Sequence, residues 1–186
     1  MTLLDVAAKA FAKLGFLARY GWYRLKHLGR LEMEWFVFLE PRVLFKIGPG
    51  SRVVLKKNCY IKSGAVFEAV DGGQIILEQG AGVGHYACLG ASRRISLGKG
   101  AVVGQGCTLV DSAHIHDPSI PMEQSGYQTG ELILEDGVIV YPKATIGPNL
   151  RIAKGAVIGA HSFVNRSIET GDALYVGAPA RKIRDL

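Results

Sequence analysis

The chain has 186 residues, of which 48% are hydrophobic and 20% charged, and its formal net charge is +6. This length predicts one domain with at most a short appendage, and the composition excludes an intrinsically disordered protein. Its 24 glycines show no three-residue period, which excludes a collagen-like chain. No apolar run approaches the roughly 18 residues of a conventional transmembrane helix, and the first residues lack the pattern of a secretory signal.

Most of the net positive charge lies in the first 30 residues, which contain six Lys or Arg residues and one Asp. An excess of charge at one end argues against a nucleic-acid-binding surface and favours a local patch for an anionic partner. Apolar residues from Leu4 to Leu14 recur at helical spacing, so residues 1–40 are assigned to an N-terminal helical, basic segment. Two interpretations stay open, a cap on the end of the main domain or an interfacial helix on the inner leaflet of a membrane.

From Leu55 onward an aliphatic or aromatic residue recurs at every sixth position. The residue two places before it is mostly Ala, Cys or Ser, and Gly often follows it. A six-residue period excludes an amphipathic helix and predicts an all-β fold, a parallel β-helix over residues 41–186. About three hexads would close one coil, with the sixth-position residues stacked inward. The phase slips between four blocks, which are Leu55, Ile61 and Phe67; Leu77, Val83, Leu89 and Ile95; Leu97, Val103, Leu109 and Ile115; and Leu134, Val140, Ile146, Ile152, Ile158 and Val164.

The largest interruption of the repeat is the polar segment HDPSIPMEQSGYQTGE, with two prolines and two glycines. It predicts a loop over residues 116–133 extruded from the β-helix, and long loops on a repeat scaffold are commonly functional. His114 and His116 stand at its start, with Asp111 upstream. Imidazole exchanges protons near neutral pH, so a histidine here suits general base catalysis, and solvated loop histidines are the structural alternative.

The last residues carry a second basic cluster. It is either a solvated terminus or a site for the phosphates of a ligand, because the guanidinium fork pairs well with phosphate. Its members are Arg166, Arg181, Lys182 and Arg184.

The cysteines point to no metal site. There are three of them, and no two have the C-x-x-C spacing. This number and spacing support neither a disulfide framework nor a Cys-based zinc site. We expect Cys59 and Cys107, which occupy the small-residue slot of the hexad, to be buried filler.

The closing segments ATIGPNLRIAKGAVIGAHSFVNRSI and YVGAPARKIR resemble the last coils and the tail of the hexapeptide-repeat acyltransferases. DSAHIHDPSIPMEQSG resembles the D-x-x-H loop of those members that O-acetylate sugars of bacterial surface polysaccharides. The resemblance implies a left-handed β-helix, a homotrimer with active sites in the clefts between subunits, and acetyl-CoA as donor. One departure is that Tyr141 and Pro142 follow Val140, where the family commonly has Gly and then Ala or Ser.

The resemblance also assigns roles to residues. His114, which completes D-x-x-H with Asp111, would be the general base, with His116 as the alternative, and Asp111 would be the second catalytic residue. The CoA contacts would come from Pro142 through its backbone, Ala160 beside the pantetheine arm, and Arg166, Arg181 and Arg184 at the phosphates. Independently of the resemblance, the surface-facing pair His85 and Tyr86, which interrupts the second block, is predicted to contact the acceptor sugar or a neighbouring subunit.

The sequence therefore predicts a cytoplasmic acetyltransferase, peripheral at the inner membrane if its N-terminal segment binds lipid. It would move an acetyl group from acetyl-CoA to a sugar hydroxyl of surface polysaccharide or its lipid-linked precursor, without a metal. Two alternatives stay open, a metalloenzyme like the γ-type carbonic anhydrases, which would need three histidine ligands, and a non-catalytic trimeric β-helix scaffold.

Overall fold

The computed structural model describes residue 15 and residues 17–186. Residues 17–26 are helical, a turn follows over residues 27–30, and the remainder consists of short strands and turns. Within these described residues, no helix is both long and apolar enough to cross a bilayer.

The helix packs its tyrosines on the end of the strand region. The Tyr20 hydroxyl donates a hydrogen bond to the carbonyl oxygen of Met33 at 3.0 Å, and the Tyr23 hydroxyl donates to the carbonyl of Val43. Both tyrosine rings pack against the hydrophobic core. These are the contacts of a capping segment. The earlier part of the predicted helix, from Leu4 to Leu14, lies outside the described residues.

A buried histidine lies under the end of the helix. His27 is 6% exposed, and its ring centroid is 6.3 Å from that of Phe45. Neither ring nitrogen has a hydrogen-bond partner among the described residues. Burial lowers the pKa of His27, and the positive charges of Lys26 and Arg30 lower it further. Burial and the two neighbouring cations therefore favour the neutral form of this imidazole at the junction of helix and strands.

Residues 31–110 form twelve short strands. They are β1 (Leu31–Met33), β2 (Phe38–Leu39), β3 (Leu44–Ile47), β4 (Arg52–Leu55), β5 (Tyr60–Ile61), β6 (Val66–Ala69), β7 (Gln74–Leu77), β8 (Gly82–Val83), β9 (Cys88–Ala91), β10 (Arg94–Leu97), β11 (Val102–Val103) and β12 (Thr108–Val110).

Residues 112–185 form ten more strands and a 3₁₀ helix at Met122–Gln124. The strands are β13 (Ser112–His114), β14 (Tyr127–Thr129), β15 (Glu131–Leu134), β16 (Ile139–Val140), β17 (Thr145–Ile146), β18 (Leu150–Ile152), β19 (Val157–Ile158), β20 (Phe163–Val164), β21 (Ala173–Gly177) and β22 (Ala180–Asp185).

The strands form the three faces of a parallel β-helix. Face A contains β1, β4, β7, β10, β15 and β18, and face C contains β3, β6, β9, β12, β17 and β20. Face B contains β2, β5, β8, β11, β16, β19 and β21, and it ends on the antiparallel strand β22. The chain runs from face A to B to C in each coil, as the hexad pattern predicts.

The predicted inward residues stack in columns. One column on face A runs through Leu55, Leu77, Leu97, Leu134 and Ile152, which pair from strand to strand and are all fully buried. Each such side chain contributes about 1.5–3 kcal/mol by leaving water. The hydrophobic columns therefore hold the coils in register.

The phase slips come from face A. Its strand β10 places two residues inward, Ile95 and Leu97, whereas strand β11 of face B in the same coil places one, Val103. The second inward residue and the turn before it change the spacing of inward residues from six at the corner where face C leads to face A. The prediction for Ile115 is wrong, because this residue is 46% exposed on a hairpin that leaves the β-helix there.

The β-helix begins earlier than residue 41. Met33, Leu39 and Phe45 are buried at six-residue spacing, and β1 pairs in parallel with β4. Val37 and Val43 occupy the slot that holds Ala or Cys in later coils. These larger residues hid the first coil from the hexad pattern, so the strands start within the segment assigned to residues 1–40.

The predicted loop is a hairpin. Strand β13 pairs antiparallel with β14, with His114 opposite Tyr127. The predicted loop over residues 116–133 is too long at its end, because β15 already belongs to face A and buries Leu132. The hairpin leaves and re-enters the β-helix between faces C and A, which we name the C–A corner.

Candidate active site

Asp111 fixes the root of the hairpin. Its side chain is fully buried, and its two carboxylate oxygens accept hydrogen bonds from the backbone N–H groups of Ser92 and Arg93, each at 2.8 Å. Its backbone carbonyl accepts the N–H of Gly130 at 2.9 Å, where the hairpin returns. The carboxylate therefore anchors the hairpin to the preceding coil. Both of its oxygens point toward the backbone N–H groups of that coil.

Gly130 allows the hairpin to return close to the later coils. A Cβ atom at this position would lie 2.5 Å from the Cβ of Asn149, which is closer than real Cβ atoms approach. A side chain here would displace the hairpin from the coil that follows it.

His114 is held by an aromatic neighbour. Its ring centroid lies 4.2 Å from that of Tyr127 on the opposite strand, with 39° between the ring planes. Both rings are exposed. The tilted contact with the phenol ring limits the orientations of the imidazole while leaving its edge open to a ligand. His116 lies two residues further along, beyond the paired strands, and is also exposed.

Pro142 and Ala160 lie on a different corner, between faces B and C. The N–H of His161 donates to the carbonyl of Pro142 at 3.1 Å, which places Pro142 and Ala160 in successive coils. His85 and Tyr86 occupy the same B–C corner in an earlier coil. The structure thus brings the predicted pantetheine contacts and the predicted acceptor contacts onto one edge. It does not bring them to the hairpin of the same chain.

His85 belongs to a small charged cluster. Its Nδ1 atom lies 3.3 Å from the carbonyl oxygen of Ser63 and 3.8 Å from a carboxylate oxygen of Glu40. Glu40 also accepts a hydrogen bond from the Lys62 ammonium at 2.8 Å, and this bond lowers the pKa of the Glu40 carboxyl. Tyr86, with a φ of 56°, has 67% of its side chain exposed at the turn. The cluster ties three successive coils together at this corner.

The tail folds into a basic cleft. Strand β22 turns back against β21, and a cleft of about 210 Å³, which we name the tail cleft, lies between this hairpin and residues 164–170. Two of the three predicted arginines, Arg166 and Arg181, line it together with Lys182 and Glu169. Lys182 is paired with Asp185 at 2.6 Å. The third predicted arginine, Arg184, is not among the residues that line the cleft.

No protein-family profile matches the chain. Among solved structures, it is similar to a variant of AntD, an N-acyltransferase from Bacillus cereus in complex with dTDP and coenzyme A, with a TM-score of 0.73, 22% identity and 88% of each chain covered. It is also similar to NeuO, a polySia-specific acetyltransferase, with a TM-score of 0.54, 15% identity, and 83% of this chain and 87% of that chain covered. The chain has the left-handed β-helix of the hexapeptide-repeat acyltransferases.

Two curated proteins also match, each over part of its own length. A serine acetyltransferase of Synechococcus elongatus is 28% identical over 104 residues, which are 50% of this chain and 33% of that protein. The bifunctional protein GlmU of Marinobacter nauticus is 24% identical over 188 aligned positions, which cover 86% of this chain and 41% of that protein. The chain therefore spans less than half the length of these curated relatives. The hexapeptide-repeat resemblance read from the sequence is confirmed at the level of the fold.

The hexapeptide-repeat fold buries two of the three thiols. Cys107 Sγ donates to the carbonyl of Tyr141 at 3.1 Å, and burial raises the pKa of this thiol. Burial also raises the pKa of Cys59 to about 11. Thiols held protonated in this way are poor nucleophiles. Among the described residues, no three His, Cys, Asp or Glu side chains form a group that could hold a metal ion.

Sequence reasoning missed two neighbours of the predicted residues in this hexapeptide-repeat fold. Tyr127 stacks on His114, but the two are separated by a polar stretch with no periodicity, so nothing in the sequence predicted their contact. Glu40 lies beside His85 because their coils stack, and the first coil was hidden from the hexad pattern.

Proposed function

We propose that this chain is an acyltransferase that moves an acetyl group from acetyl-CoA to a hydroxyl group of a sugar, with His114 as the general base. The observation that carries the proposal is the position of His114. It projects from the hairpin that interrupts the repeat, in contact with the Tyr127 ring, on a fold shared with CoA-binding acyltransferases. The buried thiols support direct transfer without an acyl-enzyme, because a protonated thiol is a poor nucleophile.

In this mechanism His114 accepts the proton of the acceptor hydroxyl as its oxygen attacks the thioester carbonyl. The new C–O bond forms, the C–S bond breaks, and the imidazolium returns the proton to the departing thiolate. Acetyl-CoA supplies the activated acetyl group. His116 stays the alternative base, because it is exposed two residues away.

The tail cleft suits the phosphates of the donor. Arg166 and Arg181 converge there, and one Nη of Arg181 donates to the carbonyl of Ala180 at 2.8 Å, which fixes one side of the guanidinium. A guanidinium fixed in this way can present its other N–H groups to a phosphate. Pro142 and Ala160 would contact the pantetheine arm from the B–C corner.

The acceptor class is proposed from the resemblance of the hairpin segment and is consistent with the similar structures. AntD is an N-acyltransferase that was also crystallised with dTDP-4-amino-4,6-dideoxyglucose, and NeuO is an acetyltransferase specific for polySia. A hydroxyl acceptor needs a base at the moment of attack, which is the role that we propose for His114. His85 and Tyr86 remain proposed contacts for the acceptor or for a neighbouring subunit.

The direct test is a titration with acetyl-CoA followed by an acceptor screen that measures thiol release. We expect acetyl-CoA to bind, and Arg181→Ala to weaken it by about tenfold or more, because a charge-assisted contact to phosphate is lost. The same substitution should weaken the binding of a donor without the 3′-phosphate by a smaller factor. Arg184→Ala is the matched control, since this arginine lies outside the tail cleft. Failure of the intact protein to bind acetyl-CoA would refute the acyltransferase.

A homotrimer is proposed because one chain does not unite the predicted contacts. The B–C corner and face B also expose Tyr86, Ile139 and Tyr141, by 67%, 40% and 49%, whereas the outer side of face A carries charged residues such as Arg52 and Arg151. Burial of the apolar corner between subunits would place Pro142 and Ala160 beside the hairpin of a neighbouring copy. Light scattering should therefore give three times the chain mass, and a monomer mass would contradict the interfacial site.

We propose that residues 1–30 also contact an anionic membrane from the cytoplasmic side. Trp22, Leu25 and Leu28 are 60%, 70% and 79% exposed, next to Arg24 and Lys26. Exposed apolar side chains beside basic ones, here on the helix and the turn that follows it, favour interfacial binding. The double variant Trp22→Ala/Leu25→Ala should sediment less with anionic vesicles than the wild-type protein does. High salt should also reduce the vesicle binding of the wild-type protein. Absence of vesicle binding by the intact protein would leave the segment with its capping role alone.

A further inference from the structure

A second cleft lies between the hairpin and the last coils, and no predicted site residue belongs to it. Its volume is about 340 Å³, within the range of small-ligand sites. One wall is the end of β14, and the other walls come from the turn before β18 and from β20. Its lining includes Gln128, Thr129, Pro148, Asn149, Phe163 and Asn165, and we name it the amide cleft.

The chemistry of the amide cleft is neutral and hydrogen-bonding. Gln128, Asn149 and Asn165 each bring a carboxamide, which offers two N–H donors and one carbonyl acceptor. None of the three carboxamides makes a side-chain hydrogen bond with the described part of the chain, so these groups are available to a ligand. Among the described residues that line the cleft, no side chain is charged, in contrast to the arginines of the tail cleft.

An exposed aromatic ring completes the cleft. Phe163 is 41% exposed on the outer side of face C, beside the carboxamide of Asn165. The face of an aromatic ring is electron-rich and attracts the weakly positive C–H groups of a saturated ring. A flat pyranose has such a C–H face together with hydroxyl groups at its rim. Carboxamides around one aromatic ring therefore match a neutral sugar better than a phosphate or a peptide carboxylate.

The lining of the amide cleft is adjacent in sequence to residues of both parts of the proposed catalytic site. Gln128 follows Tyr127, the residue that stacks on His114, and Asn165 precedes Arg166 of the tail cleft. Gly130 sets the width of the cleft, because it lets the hairpin approach Asn149. The short strand β20 thus contributes to the amide cleft and leads into the tail cleft.

We infer that the amide cleft binds a neutral pyranose unit of the acceptor and delivers its hydroxyl group toward His114. The link to His114 rests on the proposed acyltransferase function, whereas sugar binding in the cleft does not. Phe163 would stack on the sugar ring, and Gln128 and Asn165 would bind its hydroxyl groups.

Sugar binding is tested without any acyl-CoA. Glucose, galactose, mannose and N-acetylglucosamine are each added to the full-length protein, and saturation transfer from protein to sugar is observed by NMR. We expect transfer to at least one of them, its loss in Phe163→Ala, and its retention in Gln79→Ala. Gln79 is a matched control, because it is an exposed carboxamide on the corner between faces A and B. No transfer to any of the four sugars, or equal transfer in Phe163→Ala, would overturn the inference.

Kinetics then separate this inference from the proposed function. With an acceptor found by the thiol-release screen, Phe163→Ala and Asn165→Ala should each raise the KM for the acceptor about three- to tenfold and leave acetyl-CoA binding unchanged. Unchanged KM values in an active enzyme would refute sugar binding in the amide cleft but would leave the proposed acyltransferase function in place. Sugar binding that depends on Phe163, in a protein that transfers no acetyl group, would support the sugar site in the amide cleft and refute the proposed acyltransferase function.

Discussion

His114→Ala is expected to lower turnover by about 10²–10⁴-fold, the range for loss of a general base. The physical reason is that a sugar hydroxyl attacks a thioester poorly unless its proton is removed during the attack. Acetyl-CoA affinity should stay close to that of the wild type, because the proposed phosphate contacts lie in the tail cleft. The measurement is steady-state thiol release with the best acceptor, together with a binding titration for acetyl-CoA.

His116→Ala is the matched control for this substitution. Both histidines are exposed, but only His114 lies on a paired strand with a ring stacked on it. A base must stay within hydrogen-bond reach of the hydroxyl, so the better-held residue is the better base. Loss of activity in the His116 variant with normal turnover in the His114 variant would reverse the assignment. Normal turnover in both would remove the hairpin histidines from the mechanism.

Tyr127 offers a finer control on the same site. Tyr127→Phe keeps the stacked ring, whereas Tyr127→Ala removes it. If Tyr127 only positions the imidazole, the alanine variant should lose turnover and the phenylalanine variant should keep it, with no change in acetyl-CoA binding. Equal losses in both would indicate that the hydroxyl group takes part.

Much of the fold was predictable because a six-residue period of inward residues is typical of the coils of a parallel β-helix. Leu55, Leu77 and Leu97 stack because each coil repeats the same backbone path, and a side chain that misses the column would leave a cavity. The pattern failed where the path changes. Ile115 satisfied the six-residue spacing by coincidence, after the chain had already left the β-helix at Asp111.

The candidate site was less predictable than the fold. The sequence indicated His114 from its place at the interruption, but it could not show Tyr127 beside it, because a hairpin pairing depends on where the turn closes. The amide cleft is formed by three separate segments that meet only in the folded chain. The loop also ended later in the prediction than in the structure, because Leu132 was read as part of the polar interruption.

Asp111 is the position where sequence and structure lead to different predictions. As part of D-x-x-H it was assigned to catalysis beside His114. The structure instead occupies both of its oxygens with the N–H groups of Ser92 and Arg93, at a fully buried position. A carboxylate used in this way holds the hairpin root and does not need to contact the imidazole. The two roles differ in what a substitution should change.

Asp111→Ala should lower the melting temperature by about 5–15 °C, because two partly buried backbone N–H groups lose their acceptor at about 1–3 kcal/mol each. Asp111→Asn should also destabilise the fold, since its amide can accept from one N–H while its NH₂ group faces the other. Asp136→Ala is the matched control, because this carboxylate also accepts a backbone N–H, from Lys99 at 2.7 Å, but at an exposed site where water can replace it. Below its melting temperature, Asp111→Asn should keep the pH dependence of turnover of the wild type. An unchanged melting temperature combined with a shifted pH profile would return Asp111 to the catalytic machinery.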